Sequence, residues 1–79
     1  METINETTIQ TMSVEDFDRL KGKHLIITLK SNALIKGVIR TVYLSQNYNP
    51  QSEIQLPVEL LIGDVRINIF DILTIKVEG

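Results

Sequence analysis

From Glu53 to Ile62 the chain alternates more cleanly than anywhere else. Ile54, Leu56, Val58, Leu60 and Ile62 are aliphatic, and Glu53, Gln55, Pro57 and Glu59 stand between them. A period of two places the aliphatic set on one face of a β-strand and the others on the opposite face. Whatever this chain folds into must therefore offer that face an apolar layer. Pro57 has no N–H for the ladder, so the strand is an edge or is broken there. Composition points the same way. Twelve Ile, nine Leu and six Val stand against a single Ala; β-branched side chains suit a pleated surface, whereas helix interiors draw on Ala. Seventy-nine residues allow one small core and no second domain.

The rest of the chain can be parsed in the same terms. Residues 1–12 are polar and weakly patterned and are expected to be a flexible segment, with Thr7–Met12 as an optional edge strand; residues 13–79 form the domain. Ser13 and Asp16 have capping-box spacing, Met12 can staple onto Phe17, and Gly22 offers a stop. A two-turn helix is expected over Val14–Lys21. His24–Lys30 alternates as a strand, with Leu25, Ile27 and Leu29 inward, and Ser31-Asn32 supplies a turn. Leu34–Leu44 reads as one long strand bent at Gly37, with Ile35, Ile39 and Tyr43 inward and Lys36 and Arg40 outward. Ser45–Ser52 is a loop. Gly63-Asp64 fits a two-residue hairpin with Val65, Ile67 and Ile69 inward beyond it. Phe70-Asp71 is a short turn before a last strand, Ile72–Val77. Phe17 and Phe70 are both expected in the core.

A short helix and five strands, the second long and bent, predict a mainly β fold: a strongly bent antiparallel small barrel of the Sm-like or SH3-like kind. A helix on an open antiparallel sheet is the alternative. The last strand is too apolar for a bare edge, so it is either sealed within one barrel or paired with a second copy, giving a homo-oligomer.

Charge narrows the function without naming it. Residues 21–45 carry Lys21, Lys23, Lys30, Lys36 and Arg40 with no acid, while the segments on either side are acidic and the whole chain carries −2. Such a segment can meet phosphate, with Lys30, Lys36 and Arg40 as contacts and Tyr48 stacking on a base; equally, these are solvated strand charges, and Tyr48 covers a barrel end. Asp16 and Asp18 can contact a basic protein partner or simply serve the helix N-terminus. Leu34, Val38, Val42 and Leu61 occupy outward positions and are candidate protein contacts.

The absences matter too. There is no Cys, His24 is alone, and the carboxylates lack metal-ligand spacing, so no catalytic site, metal, cofactor or small-molecule substrate is expected. Met1–Thr11 lacks the basic and apolar regions of a signal peptide, and no apolar run approaches a membrane span, so a cytoplasmic protein away from membranes is expected.

Two stretches resemble a known class. Leu20–Tyr43 looks like the first half of an Sm-like domain and Ile62–Val77 like its second half. Within that class, SVEDFDRLK (Ser13–Lys21) and RINIFDILTI (Arg66–Ile75) are similar to the opening and ending of the Rho-binding antiterminator (Rof) family. The resemblance implies a small barrel and RNA-linked regulation of transcription. The expected function is a noncatalytic module in RNA metabolism or transcription that binds RNA or an RNA-handling protein. The alternative is a protein-interaction or homo-oligomeric assembly module with no nucleic-acid role.

Overall fold

A computed structural model describes residues 2–44 and 57–78. In chain order the elements are β1 (Glu2–Asn5), α1 (Glu6–Ile9), α2 (Val14–Asp18), β2 (His24–Leu29), β3 (Leu34–Gly37), β4 (Ile39–Leu44), β5 (Pro57–Ile62), β6 (Val65–Asn68), a 3-10 turn (Ile69–Asp71) and β7 (Ile72–Glu78). The strands form two antiparallel sheets, one ordered β1-β7-β2-β3 and the other β4-β5-β6. The fold is thus mainly β, with two short helices and seven strands among the described residues, where five had been expected. No helix among them is long and apolar enough to cross a membrane.

The four-stranded sheet is keyed by isoleucine. Ile4, Ile75, Ile27 and Ile35 lie in one row across all four strands, with Ile75 and Ile27 sealed from solvent. Stiff β-branched side chains at every second position of adjacent strands fix the register, because a one-residue slip would turn the whole row outward. Leu25 and Val77 form the next inward pair. The second sheet contributes Ile39, Leu60, Ile62 and Ile67, and the helical segment closes the core with Ile9, Met12, Phe17 and Leu20.

Helix α2 has the expected start and is shorter than expected. Ser13 Oγ accepts from the Asp16 N–H at 3.3 Å and the Ser13 N–H donates to Asp16 Oδ2 at 3.0 Å, the reciprocal capping box. Beyond Asp18 the chain tightens through the Leu20 N–H on the Phe17 carbonyl and the Lys23 N–H on the Leu20 carbonyl. Gly22 then sits at φ +84°, a conformation that suits glycine after a helix.

Several expectations are corrected. Thr7–Met12 is not an edge strand; the strand lies earlier, at Glu2–Asn5, and Asn5 caps α1 by accepting from the Thr8 N–H at 3.1 Å. Residues 2–12 are therefore part of the fold, with Ile9 and Met12 buried in the core. The last strand offers no edge to a second copy, because β7 is paired with β1 on one side and β2 on the other.

The expected strand Leu34–Leu44 is two strands in different sheets, separated at Val38. Register shifts again between Ile39 and Thr41, leaving Arg40 as an extra residue opposite β5. A bulge of this kind reverses the inward–outward phase of the residues beyond it. Val42, expected outside, packs against the core, and Tyr43, expected inside, turns outward.

The same reversal affects β5. Pro57, expected outside, is buried and pairs with Leu44, and a second irregularity precedes Glu59. Pro57 is the first residue of the described strand, where a missing N–H is best tolerated, although β5 itself is the central strand of its sheet. Phe70 is 55 % exposed and Val65 is 47 % exposed, so neither belongs to the core. Residues 45–56, including Tyr48, Ile54 and Leu56, lie outside the described residues.

Candidate functional site

The acid-free segment does not gather into one cationic surface. Lys30 Nζ meets Glu6 at 2.9 Å, because the turn after β2 lies beside the start of α1. Arg40, displaced by the bulge, donates to the Gly63 carbonyl at 3.3 Å and reaches Asp64 Oδ1 at 3.4 Å, tying β4 to the β5–β6 turn. Lys36 is exposed on the outward face of the four-stranded sheet, and among the described residues no carboxylate lies within 4 Å of it. Ile26 separates it from Lys76 in the same row. Two strand spacings put these lysines about 10 Å apart at the backbone. Nothing in the sequence marked Lys76 as their companion; only the strand order makes them neighbours.

The outward face of the three-stranded sheet holds a different cluster. The Arg66 guanidinium lies 4.0 Å from the centre of the Tyr43 ring and its Nε donates to Glu59 at 2.9 Å. Stacking and ion pairing lock all three side chains across three strands. Leu61 lies half-buried between Thr41 and Arg66 on this face. The other expected protein contacts are dispersed. Leu34 is 62 % exposed at the start of β3, Val38 is half-buried at the corner between the sheets, and Val42 is inside.

One concavity lies beside the N-terminal segment that was expected to be flexible. An open groove of about 630 Å³ runs beside β1, with all four residues of that strand along one wall. Asp16, Arg19, Leu20 and Lys23 also line it, with Thr8, Thr11 and Met12. Of the two acids expected to meet a protein, Asp16 lines the groove, whereas Asp18 does not and pairs with Lys21 Nζ at 3.0 Å. Asp16 is committed to the cap: the Ser13 N–H first, then the Ser13 hydroxyl, hold its carboxyl below the usual value. Its contact with Arg19 is loose, at 3.8 Å. The groove combines hydroxyl, amide, apolar and charged groups. Among the described residues no three His, Cys, Asp or Glu side chains cluster to hold a metal.

No family model, curated protein or solved structure matches the chain.

Proposed function

We propose that this protein is a noncatalytic cytoplasmic binding module that engages an RNA-handling protein. One observation carries the choice of protein over RNA. Two of the three cations expected on phosphate, Lys30 and Arg40, are paired with Glu6 and Asp64. A surface that binds RNA needs several uncompensated cations close together, since each phosphate contact adds to affinity through released counterions. Meanwhile the groove beside β1 presents mixed polar and apolar walls of the kind that suit a polypeptide.

The partner's class comes from the similarity of Ser13–Lys21 and Arg66–Ile75 to the Rho-binding antiterminator family. On this reading the two sheets are halves of a bent small barrel of the Sm-like or SH3-like kind, and the Gly37-Val38 corner carries the chain between them.

Direct RNA contact is the second reading, favoured by the Lys36–Ile26–Lys76 row alone. Titration of labelled single-stranded RNA at low salt separates the two. The protein-binding reading expects no saturation up to roughly tens of micromolar protein, within the range of ordinary nonspecific affinity. Tighter binding that falls steeply with salt and is lost on Lys36→Ala and Lys76→Ala would replace it with the RNA reading.

A further inference from the structure

The two neighbours of β7 hold it very differently. On one side β2 pairs with it over six residues, with Leu25 and Ile27 both sealed in the core. On the other side stands β1, only four residues long. Of these, Ile4 alone reaches the core and is half-buried, while Glu2, Thr3 and Asn5 are exposed. A short N-terminal strand with one partly buried side chain is the kind of element that opens first, because little burial opposes the entropy gained on release.

Strand β1 is also an imperfect match for the edge it covers. Glu2 stands in the row Glu2–Val77–Leu25–Gly37, in which Val77 and Leu25 are buried. An aliphatic side chain at that place would extend the buried pair; Glu2 stays exposed instead. Ile4 fills the corresponding place opposite Ile75. The edge of β7 thus offers two alternate apolar positions, opposite Ile75 and Val77, and β1 fills one of them. Cross-strand pairs are the unit of sheet stability, so the register states what a better-fitting strand would carry.

We propose that β1 is a displaceable cover of β7, and that an extended segment of the partner protein takes its place, with aliphatic residues opposite both Ile75 and Val77 and a polar residue between them. This rests on the protein-binding reading above and specifies its site and the segment it accepts. The backbone of the incoming strand makes the ladder bonds that β1 gives up, and its second aliphatic residue supplies the surplus over β1. Because β1 must first leave, the apparent affinity for the segment falls with the fraction of chains in which it is released. The cover shields an apolar edge from ill-fitting strands and yields to one that fits better.

The test adds fluorescent peptides of residues 1–6, one of natural sequence and one carrying Glu2→Val, to three versions of the full chain: the parent, Ile4→Asp and Glu2→Val. In the parent, the backbone amides of Thr3–Asn5 are expected to exchange faster than those of Leu25–Ile27. The Glu2→Val peptide is expected to bind the parent saturably and more tightly than the natural peptide. The Ile4→Asp chain, its cover loosened, should bind that peptide at least about tenfold more tightly than the parent, and the Glu2→Val chain, its cover improved, at least about tenfold more weakly. Equal binding by all three chains, no binding by any, a natural peptide as tight as the Glu2→Val peptide, or β1 amides as protected as those of β2 overturns the inference. Glu2 is exposed, so the Glu2→Val chain folds as the parent does and decides the matter should Ile4→Asp associate with itself. A protein captured independently of nucleic acid would still leave the broader reading standing, so the two failures can be told apart.

Discussion

A Cβ placed on Gly37 would lie 3.0 Å from Ile62 Cγ2, and Gly37 itself adopts φ +156°. The corner at which the chain leaves one sheet for the other thus presses directly on the aliphatic row of β5. Gly37 is paired with Leu25 at the end of β3, and Ile62 is paired with Ile39 just after the corner. The two sheets meet through this contact, and glycine is needed for both its conformation and its size.

Gly37→Ala is expected to destabilise the domain by about 1–3 kcal/mol, from the unfavourable φ together with overpacking. Ile62→Leu removes the β-branch that carries Cγ2. In a double-mutant cycle followed by urea denaturation, the alanine should cost less in the Ile62→Leu background. Additive losses would mean that the contact contributes nothing.

The two phenylalanines should behave differently. Phe17 is fully buried in the core and Phe70 is mostly exposed. Phe17→Ala should cost about 3–5 kcal/mol, a large share of the roughly 4–12 kcal/mol expected for a domain of this length. Phe70→Ala should change the urea midpoint little, within about 0.5 kcal/mol. Equal losses would contradict the packing described.

The capping box predicts a pH dependence. The folded Asp16 carboxyl titrates below its ordinary 3.8, so its contribution is fully present above the ordinary carboxylate range. That contribution is lost as pH falls through the lower, folded value. Ser13→Ala should cost about 1 kcal/mol near neutral pH and return the Asp16 titration, followed by carboxyl NMR, toward its ordinary position. It should also flatten the decline in stability between about pH 5 and pH 2. Because the backbone N–H of residue 13 remains in the variant, the shift should be partial, and an unchanged Asp16 titration would show that the Ser13 hydroxyl does not hold the carboxylate.

Strand β1 covers an edge of β7 that would otherwise be bare. Ile4, opposite Ile75, is its only residue packed on the core, so Ile4→Asp should release β1 while α1 and α2 remain. Exposing the apolar β7 edge should then cause concentration-dependent association in light scattering that the parent protein does not show. A variant no more associated than the parent would mean that β1 is dispensable as a cover.

How much of this was legible beforehand depends on the range of the interactions involved. Ser13, Asp16 and Gly22 act within a few residues, and the start of α2, the Asn32 and Gly63 turns and the inward face of β2 follow from local pattern. The reversal at Arg40 does not, because a bulge is one unpaired residue whose effect appears only against its partner strand. Tyr43 and Val42 exchanged faces for that reason. The pairing of β1 with β7 joins residues 69 to 75 positions apart, and a polar four-residue strand carries no periodic signal of its own.

The same distinction explains the site. The run of bases from Lys21 to Arg40 is plain in the sequence, but the pairing of Lys30 with Glu6 and of Arg40 with Asp64 depends on tertiary contacts. Asp16 could be nominated because it stands at a recognisable cap. The groove it lines could not, since its opposite wall is the segment expected to be unstructured.

The central claim, that this domain recognises a protein, is tested most directly by affinity capture from a lysate of its own source cells, with and without nuclease. The expected result is a defined RNA-handling protein retained equally in both arms. Loss of all retention after nuclease treatment, with RNA as the only common component of the untreated arm, would contradict it.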